Sequence, residues 1–482
     1  MSRPGVDFSI VDTPVAKSTP TDTGTGFLVG VTERGSTEAN LLLTFQQFVD
    51  TYGSRLSYSN VYDAAECFFQ EGGSRLYIAR VIGPDPVYSS ANIWDASGST
   101  APGDVALVAT AIEYGSWADD LSVEIEAGGG GGTFVVVIAN SDGELERSED
   151  LADRAAAVTW SESSSYIRFS LGASAEDPRV QGPTNLSGGD DDYANITIDE
   201  TTAALDSFDR DLGPGQVFAP GDTTSDTHEA LLDHAASNNR RALLDATDTS
   251  NTTTLTSAAT SLSGLDNSRY GALWGNWPII NGLTSGTTRT VPPSGVIAGM
   301  IARSDVAGNP GQAVAGVHVL PKTVIDLSNS FTAEQGETLN DAAVNIFRSI
   351  NDTIQNYGYR SLADKDALPS WWQFSASRVV MAVTAQTKAV LDRYVFSQID
   401  GKRLKLAEIE GAVKTSAVDP YYSIGALYGE TAADAYSVDA TSVAANTDQD
   451  IANGEISVII AIKASPFAEY IPFTVNNSAI TA

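Results

Sequence analysis

A chain of 482 residues is longer than a single hydrophobic core usually supports, so it divides into about two to four domains. Hydrophobic residues make up 42% of it, enough to fill large cores, which excludes a disordered or fibrous polymer. The longest apolar runs, residues 134–139 and 456–462, have the length of strands and fall far short of a membrane span. No direct membrane insertion is therefore expected. Residues 1–10 lack the charged stretch and apolar block of a secretory signal.

Charge narrows the function classes. Asp and Glu number 61 against 28 Lys and Arg, a formal charge of -33. A surface this negative repels nucleic acid and anionic membranes, so neither is expected as a partner. Asp outnumbers Glu 40 to 21, and there are only 8 Lys against 20 Arg. Like charges at this density strain subunit packing unless salt screens them, and at 1 M salt the Debye length is about 3 Å. An acidic, Lys-poor surface therefore suits a salt-rich environment such as a halophilic host. A mesophilic source with an acidic particle surface is the other reading. Cys67 is the only cysteine, which excludes an intrachain disulfide and a Cys-based metal site. It reads as a small buried residue on an apolar helix face.

Periodicity suggests an α+β multidomain chain. Residues 1–22 read as an arm: Val6, Phe8 and Ile10 alternate with polar neighbours, and Pro14 and Pro20 then break regular structure. Such an arm cannot bury its apolar side alone and must add to a sheet edge, its own or a neighbour's. Residues 23–83 read as strand (26–31), helix (61–70) and strand (76–82), a βαβ-like unit. Residues 84–195 read as an inserted mostly-β domain, with strands at 105–112, 121–127, 133–139 and 166–171 and a hairpin tip at 128–132. Residues 196–349 read as an inserted α/β domain. Strands are expected at 217–219 and 270–274, helices at 229–238 and 297–302, and a loop or weak helix at 247–263. The spacing of Val344, Phe347, Ile350 and Ile354 predicts a helix over 339–354. Beyond it, the pattern gives a strand at 379–383 and a helix at 387–398, with Val390, Leu391, Tyr394 and Val395 on its inner side. Strands are expected at 435–439, 455–463 and 470–475, the last carrying Tyr470, Ile471, Phe473 and Val475.

Motifs for chemistry are missing, so no enzyme, cofactor or metal site is expected. There is no G-x-x-x-x-G-K-[ST] loop, and Gly24, Gly26 and Gly30 are one residue off the dinucleotide spacing. There is no G-x-S-x-G elbow. His228 and His234 stand six apart, on different helix faces, and form no H-E-x-x-H with His318. Asp190, Asp191 and Asp192 are consecutive, without the alternation of a calcium loop, and read as a solvated turn.

A series of short motifs instead runs in one order along the chain. They are Pro4-Gly5-Val6, the turn Gly30-Val31-Thr32-Glu33-Arg34-Gly35, and Phe45, Phe48, Tyr52 and Gly53. Residues 65–81 (A-E-C-F-F-Q-E-G-G-S-R-L-Y-I-A-R-V) follow, then Gly115–Leu121 as G-S-W-A-D-D-L and Leu186-Ser187-Gly188-Gly189-Asp190. Next come Pro292-Pro293-Ser294-Gly295 with Gly299 and Ala302-Arg303-Ser304-Asp305, and Leu339-Asn340 with Val344-Asn345. Tyr357-Gly358-Tyr359-Arg360-Ser361-Leu362, then Asn446-Thr447 with 450–454, and 466–471 complete the set. Together these resemble the contractile tail sheath proteins of myovirus-type phages, archaeal viruses and related injection systems. The F-F-x-N-G-G-x-x-x-Y-V-x-R-V pattern, met at 68–81, is the most specific. Ala118-Asp119 replaces Gly-Asn, Tyr357 stands where Trp is usual, and residues 196–290 match poorly.

The resemblance implies a virion subunit, made in the host cytoplasm, that polymerises as hexameric rings in a helical stack around a tail tube. It implies contraction that drives the tube through the host envelope, with partners in the tube, baseplate and tail terminator proteins. It places the conserved inner sheath domain in 23–83 plus 350–482 and the outer domains in 84–195 and 196–349. It makes 1–22 and 466–482 linking arms, with Val6, Phe8, Ile10, Tyr470, Ile471, Phe473 and Val475 as the strand-exchange residues. Rival readings are another virion polymer (tube or shell), a secreted acidic hydrolase or an adhesin. The last would predict a signal peptide.

Overall fold

Near-continuous apolar runs bounded by turns suit parallel strands that are covered on both faces. The computed structural model, which describes residues 22–96, 103–306, 308–472 and 474, contains such a sheet. Its strands are β1 (Gly26–Gly30), β2 (Asn40–Leu42), β3 (Leu76–Arg80), β4 (Gln216–Phe218), β5 (Arg241–Asp245), β6 (Gly271–Trp274) and β7 (Val344–Asn345). They lie in the order β7-β6-β5-β4-β1-β3-β2, all parallel except β2 at the edge. Alternate side chains point to two cores. Leu28, Ile78, Leu243 and Trp274 join a core with helices α1 (Phe45–Tyr52), α2 (Val61–Glu71) and α3 (Pro293–Val306). Phe27, Val29, Leu244 and Leu273 join another with the helices Ser225–Ser237 and Thr252–Ser263.

The collinear motifs turn out to be the anchors of this body. α3 is buried almost all round, and Gly295 and Gly299 let it touch α2: a Cβ at Gly295 would stand 2.6 Å from the Cα of Ala64, and one at Gly299 2.6 Å from the Phe68 carbonyl oxygen. Buried Glu71, at the end of α2, accepts from the Lys322 and Thr323 amides at 2.7 and 2.8 Å and pairs with Arg303 at 2.8 Å. Arg80 reaches from β3 to the carbonyls of Thr32, Glu33 and Tyr114 at 3.0–3.2 Å and lies 3.7 Å from Asp191. Asp191 is thus buried beside a cation, and the middle of the acidic triplet is not the solvated turn its sequence suggests.

Residues 91–186 contribute a separate core of antiparallel strands, in a four-stranded and a three-stranded sheet. The hairpin between Ser122–Ala127 and Phe134–Asn140 has the five-glycine run at its tip. A third body, residues 379–464, holds helices α4 (Phe374–Leu391) and α5 (Leu404–Val413) and strands β8 (Tyr436–Asp439) and β9 (Ile459–Ile462).

Three sequence readings change. The helix expected at 339–354 is the end of the helix Ala333–Asp341, then β7 and a hairpin of Phe347–Ile350 with Thr353–Asn356. Asn351 and Asp352, at φ 50° and 59°, form its two-residue turn, which overrides the helical spacing of the apolar residues. The strand expected at 379–383 lies inside α4; its β-branched run reads as a strand because this helix is buried on several sides. The helix expected to reach 398 stops at Leu391, with a short turn Asp392–Tyr394, and Val395 is exposed instead of inward. The grouping of segments also changes. Strands from 23–83 and from 196–349 share one hydrogen-bonded sheet, so 196–349 is not a separate insertion from 23–83.

Candidate assembly interface

The third body is joined to the central one through α4. α4 starts in the central body and ends in this one. Arg378 on it pairs with buried Asp305, and Arg241 of β5 donates to the Ser377 carbonyl from Nε at 2.9 Å. Its far half packs Val383 and Val390 against Ile409 and Val413 of α5. Glu410 accepts from the Ala440 and Thr441 amides at 3.0 and 3.2 Å, which ties α5 to the end of β8. The motif at 446–454 links β8 to β9: the Asn446 amide donates to the Ala440 and Ser457 carbonyls, both at 2.8 Å, and accepts from the Ser457 amide at 2.7 Å. Thr447 and Asp450 form a capping box on the helical turn Asp448–Ala452.

What results is a sheet of two strands, β8 antiparallel to β9. One face leans on the helices through Val438, Ile460 and Ile462. Each strand has one neighbour among the described residues, so each keeps one open edge. Two strands are marginal in water, and open edges are templates for further strands. Burial and the Asp419 carboxylate raise the pKa of Tyr436, whose hydroxyl bonds that carboxylate and fastens β8 to the helical turn Asp419–Ser423.

After β9 the chain returns to the central body. Phe467 packs near Tyr359, its amide and carbonyl held by the Gln373 side chain at 3.1 and 3.0 Å, and Glu469 pairs with Arg360. A groove of about 770 Å³ lies between this segment and the helix Ala333–Asp341. Tyr470 is 83% exposed and Ile471 76%; both line this groove, and neither is in a strand. The other expected strand-exchange residues, Val6, Phe8, Ile10, Phe473 and Val475, lie outside the described residues. The clasp of Gln373 and Arg360 on 467–469 escapes sequence reading, because it joins residues about a hundred positions apart. The aromatic and arginine content of 357–360 and 371–373 is its only trace.

Cys67 is buried, and its thiol pKa is raised by that burial. His228 and His234 are both buried on one helix, His228 near the Asp222 carbonyl and His234 beside Arg240. Among the described residues, no group of three or more His, Cys, Asp or Glu is placed to hold a metal ion. No helix among them is long and apolar enough to cross a membrane.

No protein-family model and no curated relative matches the chain. Solved structures do. A sheath tail protein from Listeria innocua aligns with TM-score 0.63 and 12% identity, over 92% of this chain and 96% of that one. A sheath tail protein from Desulfitobacterium hafniense aligns with TM-score 0.61 and 13% identity, over 90% and 93%. The helical sheath of the anti-feeding prophage in its contracted state aligns with TM-score 0.56 and 16% identity, over 99% and 100%. Over its described residues, then, this chain has the fold of the contractile tail sheath proteins.

Proposed function

We propose that the chain is the structural subunit of a contractile tail sheath, polymerising as stacked hexameric rings around a tail tube. The observation that carries this reading is the two-stranded sheet β8–β9, open at its outer edges among the described residues and followed by a C-terminal segment with exposed Tyr470 and Ile471. Strands from the ends of neighbouring copies, residues 1–22 and 466–482, would complete that sheet. Each would add several backbone hydrogen bonds worth roughly 1 kcal/mol net apiece. The body at 379–464 would then face the tube, and the β insertion at 84–195 would face outward. Links of this kind persist while the bodies slide and rotate, so contraction releases a trapped packing and needs no catalysis. The anti-feeding prophage structures include a baseplate and a contracted sheath, which favours a baseplate partner for this chain as well. The tube and tail terminator are the other partners of this reading, and the assembled particle is its location.

Electron microscopy of the purified full-length chain tests it. Hollow sleeves with six-fold rings are expected. A soluble monomer at every concentration and ionic strength would overturn the reading.

A further inference from the structure

Basic residues are scarce in this chain and unevenly placed. Four of the 8 lysines, Lys388, Lys402, Lys405 and Lys414, fall within 27 residues, together with Arg393 and Arg403. Only Asp392, Asp400, Glu408 and Glu410 oppose them there, so this segment is net positive in a chain of formal charge -33.

The same segment carries an apolar knob. Between α4 and α5 the chain makes a loop in which Phe396 is fully exposed and Val395 is 61% exposed, and Leu404 beyond it is exposed too. Phe396 and Arg403 both have left-handed backbones, at φ 65° and 59°. Non-glycine residues in that region are strained, and an exposed Phe gains nothing within the subunit to offset it. The loop is nevertheless held in place. Arg403 donates to the Thr441 carbonyl at 3.0 Å and pairs with Asp448 at 3.0 Å, and Lys405 lies 6.0 Å from the Tyr394 ring. These bonds fix the knob beside the turn that leaves β8. Arg393 and Lys402 flank it, exposed, with no ion pair to either among the described residues.

We infer that this knob, Val395 and Phe396 with Arg393 and Lys402, docks on an acidic face of a second copy of this chain. The inference rests on the sheath reading and names one of its subunit contacts. Charge complementarity selects the occupant, since residues 388–414 carry a formal +2 and the rest of the -33 chain therefore carries -35. Position agrees with it: a neighbour that adds a strand at the open edge of β8 arrives next to the Thr441 turn to which the loop is bound. An aromatic flanked by arginine is the composition of an interface hot spot. A basic patch cannot meet itself across a two-fold axis, because like charges would face one another. The knob therefore meets a different face of the second copy, and repeated in one direction such a contact closes into a ring or continues as a helix.

The test uses the full-length chain, with sleeve formation followed by sedimentation and electron microscopy. Phe396→Ser and the double variant Arg393→Glu/Lys402→Glu should each raise the concentration needed for assembly by about tenfold or more, with thermal melting unchanged. Variants that assemble as the wild type does would overturn the inference. So would variants whose sleeves form normally but no longer enclose tail tubes, since the knob's partner would then be the tube. Wild-type oligomers other than sleeves that are lost on substitution would support the contact and contradict the sheath reading. A wild type that stays monomeric would contradict both.

Discussion

The central sheet and the two-stranded sheet at the C-terminal end solve the same problem differently. In the first, seven strands are covered by helices on both faces, and the buried carboxylates Asp63 and Glu71 meet arginines. In the second, two strands lean on helices with one face and, among the described residues, keep both outer edges open. On the proposed reading, one chain holds a region finished within a single copy and a region that other copies would finish. That reading assigns stability of the subunit and assembly of the particle to separate residues.

The comparison can be broken most sharply by deleting residues 1–22. Assembly should be lost while the melting temperature of the subunit stays the same. Full-length sleeves from the truncated chain, seen by electron microscopy, would end the distinction. The opposite change, within the finished region, is Asp63→Ala. It leaves Arg55 without its carboxylate and Arg289 with Glu66 alone, and should cost about 1–3 kcal/mol in denaturant unfolding. A loss under 1 kcal/mol would mean that this network is not a support of the central body.

A pH titration sharpens the same contrast. Burial, and then the charge of Arg240, lower the pKa of His234 from 6.5 to about 3. The unfolded chain therefore takes up a proton below pH 6.5 that the folded chain refuses until about pH 3. Stability falls with pH through that window, by up to about 1.4 kcal/mol per pH unit from this group. Asp245 opposes it: burial raises its carboxyl to about 6, so its protonation favours the folded state as pH falls toward 4. Comparison of the wild type with His234→Gln cancels the Asp245 contribution. The variant should lose less stability between pH 6.5 and 4, and equal slopes would contradict the assignment. The smallest effect is expected at the hairpin turn. Asp352→Gly relieves a left-handed backbone and should stabilise the subunit by about 0.5 kcal/mol, measured as a small rise in melting temperature.

Much of the finished region was legible in the sequence, because burial on one or two faces writes a period into the residues. β1, α2 and β3 stand where alternation and helical spacing put them, as do four of the seven strands of the β insertion; Ser90–Trp94, Gly143–Arg147 and Gln181–Asn185 were not expected. The failures come where two signals compete. Val344, Phe347, Ile350 and Ile354 keep helical spacing by coincidence, and the turn chemistry of Asn351-Asp352 decides the matter. Val379, Val380 and Val383 favour strands as residue types but lie in a long helix that packs on several neighbours. The interface was legible only in outline. The strands β8 and β9 were readable, but their open edges depend on what does not pair with them. The clasp of Arg360 on Glu469 and the exposure of Phe396 depend on folding that no local pattern records.

A cryo-EM map of the assembled full-length chain addresses the central claim most directly. Density on the free edges of β8 and β9 should trace to the terminal segments of adjacent subunits, turning two strands into a larger shared sheet. Bare edges, with both termini wrapped around their own subunit, would contradict it.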